Sequence, residues 1–274
     1  TILFIESKKI QIEDFIKTNQ EFNSVKEKEL IYPKYKEISN PSGFINSDNF
    51  TLSEYIGKKV ILVDFWTYSC INCQRTIPYL NEWHSKYKDK GLLIVGIHTP
   101  EFKFEEDYTN VQQAASKFGV DYPVVLDNSY ATWQAYNNRY WPRKYLIDID
   151  GYIVYDHIGG GDYEETELKI QELLEERKNK LKLDDSITKQ ISQPNSSYSV
   201  DFTQVKSPEI YFGSERNEYL GNGINGKKGV QNFEEPTATS LNKLYLLGSW
   251  NIQDEYAKSL SDSKIIFKYD SKNV

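Results

Sequence analysis

Cys70-Ile71-Asn72-Cys73 contains the only two cysteines of the chain, and its position limits the fold more than any other feature. It follows the apolar run Val60-Ile61-Leu62-Val63-Asp64-Phe65-Trp66, whose continuous hydrophobicity reads as a buried strand. It opens the stretch Gln74 to Lys88, in which Ile77, Leu80, Trp83, His84 and Tyr87 recur at helical spacing. Two thiols separated by two residues at the start of a helix form a redox-active arrangement. The unpaired N–H groups and dipole of the helix favour a thiolate at the first cysteine. The second is close enough to close a disulfide within one turn.

Competing uses of the pair are weaker. A structural disulfide at this spacing closes a very small loop and stabilises little. A zinc site needs two more ligands, and the three histidines, His84, His98 and His157, lack the short H-x₃₋₅-H spacing. No metal or organic cofactor is expected.

The bulk properties exclude other classes. Net charge is -7, which argues against nucleic acid or an anionic membrane surface as partner. No run of about 18 apolar residues is present, so no membrane span is expected. The chain begins at Thr1 and contains 0 methionines, and it reads as a fragment or a processed chain. With 274 residues it has room for one large domain or two ordinary ones.

Residues 1–42 read as a lead-in segment, with a short helix near Ile12 to Lys17. Residues 43–182 carry alternating strands and helices. Leu92 to Ile97 is a second buried strand, and Thr99-Pro100-Glu101 resembles a capped helix start. Tyr122 to Leu126 reads as a short strand. Tyr145 to Asp148 and Tyr152 to His157 form a hairpin about Asp150-Gly151, and Asp162 with Glu165 predicts a capping box for a helix through Lys180. The order predicts an α/β fold with a central mixed sheet and flanking helices. Residues 183–200 look like a linker. Residues 201–274 change to strand-like runs (Glu209 to Phe212, Lys243 to Leu247, Lys264 to Tyr269) between Gly/Asn-rich turns, predicting an all-β, sandwich-like module. At roughly 75 residues it is short for a closed sandwich and is expected to be incomplete.

The segment from Val63 to Cys73 resembles the active site of the thioredoxin superfamily. Asp64 lies six residues before the first cysteine, Trp66 four before it, and Pro78 five after the second. The wording FWTYSCINCQRTIPYL, with GIHTPEF, YPVVLD and RYWPRKYLID downstream, is similar to the DipZ/TlpA branch. Ser207 to Gly213 and Leu247-Gly248-Ser249-Trp250 resemble the carbohydrate-binding-module-like β domain of DipZ proteins. The resemblance implies a thioredoxin fold and a thiol–disulfide oxidoreductase held outside the cytoplasm, periplasmic or at the cell surface. It implies protein disulfides as substrates and a membrane electron-transfer partner of the DipZ/CcdA type, which favours reductase over oxidase.

Carried over by position, Cys70 is the attacking thiol, Cys73 the resolving thiol and Asp64 the buried acid that exchanges a proton with Cys73. Trp66 packs beside the disulfide. Pro142 matches the cis-proline facing the active site, with the backbone of Trp141 available to an extended peptide substrate. The inner dipeptide Ile71-Asn72 departs from the Gly-Pro of thioredoxin, so the redox poise is not transferred. Related copper sites space their cysteines more widely and add a positioned histidine, for which His98 is the candidate. From a different class, the chain could be a glycan-binding or scaffold protein, with Tyr211, Phe212, Phe233, Tyr245 and Trp250 as a sugar-stacking platform.

Overall fold

The computed structural model describes residues 25–194 and 206–270, which fall in two compact units, one up to Ser197 and one from Tyr198. The helix expected near Ile12 to Lys17 lies outside the described residues.

The first unit is built on a six-stranded sheet of order β1-β4-β3-β2-β5-β6. The strands are β1 (Gly43–Ile45), β2 (Val60–Trp66), β3 (Leu92–His98), β4 (Val124–Leu126), β5 (Arg143–Ile147) and β6 (Ile153–Ile158). β2, β3 and β4 run parallel, while β5 and β1 pair antiparallel to β2 and β4, and β6 to β5. The helices are α1 (Val25–Ile31), α2 (Ile71–Tyr87), α3 (Tyr108–Lys117), α4 (Ala131–Ala135) and α5 (Tyr163–Leu181). Every residue of β2 is buried, because both faces of the central strand are covered. Alternation along β2 sends Val60, Leu62 and Trp66 into a core shared with Ile77, Leu80 and Trp83 of α2 and Ile170 and Leu174 of α5. Ile61, Val63 and Phe65 enter the opposite core with Leu52, Trp133, Tyr136 and Tyr145. Each fully buried aliphatic side chain contributes roughly 1.5–3 kcal/mol. Together they pin the register that positions the ends of β2 and β5.

Local expectations fail where a side chain finds a distant partner. Thr99 does not cap a helix, because its hydroxyl donates to Asp127 Oδ2 at 3.1 Å. The chain passes through a 3₁₀ turn, Lys103–Glu106, and α3 starts at Tyr108, capped by Asp107 Oδ1 accepting from Asn110 N–H. Asp162 makes no capping box: it is left-handed (φ 44°), and its carboxylate lies 3.7 Å from His157 Nδ1. The stretch read as a linker is held on the domain through Ser192, which donates from its N–H and its hydroxyl to Glu167 at 2.7 and 2.9 Å. Ile187 is buried in the same stretch.

The lead-in is likewise tied down. Tyr35 N–H donates to the Gly151 carbonyl, and Ile153 N–H to that of Pro33. Lys28 lies 2.6 Å from Asp148 and 3.2 Å from Asp150, and it also meets Glu176. Burial alone would pull its pKa down. Hydrogen bonds to Asp148 and Glu176 outweigh that and hold the ammonium charged above the usual lysine range. Asp148, Asp150 and Glu176 are a cluster whose oxygens lie close enough to share a cation, and Lys28 supplies one from the chain itself.

The second unit has β7 (Gly229–Phe233), β8 (Lys243–Ile252), β9 (Ala257–Ser259) and β10 (Lys264–Lys268). The described residues form one antiparallel sheet of order β10-β8-β7, with β9 also on β8. The first half of β8 pairs with β10 and the second half with β7 and β9. Gly248 (φ 87°) sits at the changeover, where a Cβ would lie 2.8 Å from Ser263 Oγ and 2.9 Å from the Asp262 carbonyl. Glu209 to Phe212 form no strand. Phe233 and Trp250 are core, Phe212 packs against them, and Tyr245 is buried with its hydroxyl accepting from Ser240 N–H. Of the five aromatics, Phe233, Tyr245 and Trp250 are thus buried, while Tyr211 and Phe212 are half-buried.

Replacing Lys28 with methionine leaves the buried Asp148 carboxylate without its cation. Urea denaturation is expected to show a loss of about 3–5 kcal/mol. A change below about 1 kcal/mol would show that the lead-in is merely laid on the surface.

Candidate active site

β2 and β3 end at the same edge of the sheet, Trp66 opposite His98. β5 runs back antiparallel from that edge, with Phe65 paired to Arg143, so Pro142 enters the sheet beside the exit of β2. The Trp141–Pro142 bond is cis. The loop from Thr67 to Cys70 leaves from this edge and feeds α2.

Cys70 is the N-cap of α2, its Sγ accepting the Cys73 N–H at 3.4 Å. Both cysteines are free; Cys70 is half-buried and Cys73 fully buried. The two thiols are therefore unequal. A hydrogen bond from the Cys73 thiol is the main influence on Cys70; with the backbone N–H groups of Cys73 and Asn72 it lowers the Cys70 pKa against the opposing effects of burial and Glu101. Burial first, and then the neighbouring Cys70, push Cys73 well above the ordinary thiol value.

Asp64 is 1% exposed, and its Oδ1 has no hydrogen-bond partner. Burial raises its pKa to about 7, with Lys144 opposing. A carboxyl poised near neutrality can take a proton from Cys73 and return it. Trp66 does not reach the surface: it is 1% exposed and shares the core with Cys73, so it forms the floor of the site rather than a contact for substrate. Pro142 is buried and its carbonyl accepts from Gly159 N–H. Trp141 is half-buried, its ring 4.2 Å from that of Trp133 and its Nε1 donating to the Thr99 carbonyl.

The loop before Cys70 is anchored by Glu105, which drew no attention in the sequence, and by His98, named there only as a candidate copper-site histidine. Glu105, fully buried, accepts from Ser69 N–H at 3.2 Å and Ser69 Oγ at 2.6 Å. Its other oxygen accepts from the N–H groups of Glu101 and Phe102. His98 Nε2 accepts from Tyr68 N–H at 3.3 Å, and burial pushes its pKa down to about 4, with Glu105 opposing. The neutral ring is committed to this loop, which argues against a ligand role beside the thiols. Lys144, also passed over, is fully buried in β5 and directly paired with Asp64. A lysine inside the apolar run that continues as Tyr145-Leu146-Ile147 carries the same signal that singled out Asp64.

Residues 42–174 match the Redoxin family, and residues 207–274 match the family described as thioredoxin-like C-terminal domain. The protein DipZ of Mycobacterium bovis is 41% identical over 219 residues, 79% of this chain and 30% of that protein. The chain is a thioredoxin-like protein of the DipZ type. It thus spans under a third of the length of that relative. The thiol-disulfide oxidoreductase YkuV of Bacillus subtilis is 28% identical over 140 residues, 51% of this chain and 93% of that one. A solved thioredoxin-like protein in its oxidized form is similar at TM-score 0.49 and 26% identity, over 53% of this chain and 97% of that one. The Redoxin match falls on the first unit, which carries Cys70 and Cys73.

The raised pKa of Asp64 has a definite sign in stability. The unfolded carboxyl ionises near 3.8 and the folded one near 7, so its contribution is fully present below the unfolded value and lost as pH rises through the folded one. Asp64→Asn is therefore expected to stabilise the protein at pH 8 relative to pH 4. At about 1.4 kcal/mol per pKa unit the difference is on the order of 3 kcal/mol. Parallel denaturation curves of the two proteins, with the same gap at both pH values, would contradict a buried, proton-binding Asp64.

Proposed function

We propose that this chain is the soluble, extracytoplasmic part of a reductase that passes two electrons to protein disulfides. The Cys70 thiolate attacks one sulfur of a substrate disulfide; a mixed disulfide forms and the other substrate sulfur leaves as a thiolate, which takes a proton from water. Asp64 accepts the Cys73 proton, and the Cys73 thiolate attacks Cys70 Sγ. The second substrate thiolate leaves and is protonated in turn. The substrate ends as a dithiol and the chain as a Cys70–Cys73 disulfide, with electrons and protons balanced. A membrane dithiol partner of the DipZ/CcdA type would restore the reduced pair.

The observation that carries this reading is the inequality of the two thiols: an accessible one at a helix N-terminus, and a buried one served by a carboxyl near neutrality. Trp141 supports it, since among the described residues its backbone groups have no internal partner and remain available to an extended peptide. The anionic surroundings support the direction. Glu101 opposes ionisation at Cys70 and Asp64 opposes it at Cys73. At Cys73 the less stable thiolate makes the dithiol a better electron donor, whereas the net effect at Cys70 is a lowered pKa. No described helix is long and apolar enough to cross a membrane.

Cys70→Ser is expected to abolish reduction of insulin disulfides, whereas Cys73→Ala is expected to accumulate a mixed disulfide visible on non-reducing gels. Insulin reduction at the native rate by Cys70→Ser would overturn the mechanism. In the native protein, the rate of mixed-disulfide resolution is expected to rise through pH about 7. Asp64→Asn is expected to lose that limb and fall at least about tenfold at pH 7.5.

A further inference from the structure

The register of the sheet draws a row of polar residues through the core. Gly96, Asp64, Lys144 and His157 are direct partners across β3, β2, β5 and β6. Directly paired residues share a face of the sheet. In this case the face is the one covered by α2 and α5, since Leu62 and Leu146 flank the row in that core. Gly96 leaves space for Trp66, as a Cβ there would lie 2.9 Å from Trp66 Nε1. The row then meets the surface at Asp162, whose exposed carboxylate lies 3.7 Å from His157 Nδ1.

Lys144 is the cation of this row. It is fully buried, donates to the Gly159 carbonyl at 3.1 Å, and lies 5.9 Å from the centre of the Tyr163 ring. A buried ammonium with one carbonyl partner and a ring face is costly unless an anion shares its surroundings. Asp64, its direct partner in register, supplies that anion on the same face, and its Oδ1 has no hydrogen-bond partner.

We propose that Lys144 is a positioning residue of the exchange reaction, whose buried ammonium holds the single negative charge that Asp64 and Cys73 pass between them. The proposal rests on the dithiol mechanism above. When Cys73 ionises, its proton goes to Asp64 and the negative charge moves from one oxygen of Asp64 to sulfur. The net charge of the pocket is unchanged because Lys144 stays protonated throughout. The groups facing it come from every neighbouring element: Asp64 on β2, Cys73 on α2, His157 on β6, and Asp162 and Tyr163 at the start of α5. Tyr122 lies near Asp64 and Cys73 and stays neutral, its pKa pushed far up by burial. Burial lowers the Lys144 pKa, with Asp64, Cys73 and Asp162 opposing. Burial lowers His157, as does Lys144, so the imidazole next to the ammonium is held neutral. Asp64 and Lys144 thus form the charged pair of the row.

The test is the pH profile of mixed-disulfide resolution in Lys144→Met. Without the ammonium, Asp64 is expected to ionise at least one pH unit higher, so the rising limb moves up by that amount and the rate at pH 7 falls about tenfold. In the Asp64→Asn background, which lacks that limb, Lys144→Met is expected to cost less, leaving only the loss of its charge beside the Cys73 thiolate. An unmoved limb, or an equal fall in both backgrounds, would overturn the proposal. The native protein offers a second measurement that needs no variant to fold. The Lys144 Cε and Asp64 Cγ NMR signals are expected to share an inflection near pH 7 in the reduced state, and a Lys144 signal blind to that titration would equally overturn it. Absence of exchange in the native protein would instead refute the mechanism, while the shared inflection reports on the pair alone.

Discussion

A carboxyl group buried beneath a buried thiol governs the design of the first unit. Removing Asp64 from water destabilises its charged form, and that cost is what brings its pKa to about 7. The position is possible only because β2 is central: both its neighbours, β3 and β5, are in place, and both faces are covered. An edge strand would admit water and return the carboxyl to its ordinary range. The extended apolar cores of this unit therefore do chemical as well as structural work, since they provide the low-dielectric surroundings in which one proton can be shared by oxygen and sulfur.

Much of this site could be read from spacing along the chain. Cys70, Cys73, Asp64 and Pro142 are separated by short local offsets or by a recognisable phrase, and the strand and helix around them follow from apolar periodicity. Lys144 was hidden because its meaning depends on the β2–β5 register, which couples residues eighty positions apart in the sequence. Lys28 was hidden for the same reason, since a charged stretch at the start of the chain looks solvated until Asp148 and Glu176 are brought to it. Trp66 shows the opposite error. Its offset from Cys70 suggested a contact for substrate, but strand alternation turns its ring inward, into the core it shares with Cys73.

Capping signals failed in an instructive way. Thr99 and Asp162 each have the residue type and spacing of a helix cap, and each is used elsewhere, one for Asp127 and the other beside His157. Short polar side chains compete among local backbone, distant backbone and distant side chains, and only the assembled fold decides among them. In the second unit the same ambiguity affected aromatics. Phe233 and Trp250 fall into a common core because β7 and β8 pair in the register that sets them there. Composition alone could not separate a core from a stacking surface.

The balance of charge around the thiols bears on which way electrons flow. A strongly oxidising site stabilises its attacking thiolate, because that stabilisation is lost when the disulfide forms. Here the helix N-terminus and the backbone N–H groups favour the Cys70 thiolate, yet Glu101 opposes it, and Glu105 places a fully buried carboxyl side chain beneath the preceding residue. Lys144 is in register with Asp64, on the side of Cys73 rather than Cys70. In the proposed mechanism the cation would then act on the resolving step and not on the attacking thiolate. That division fits the proposed reductase direction, in which Cys70 surrenders its electrons and Cys73 releases the captured substrate.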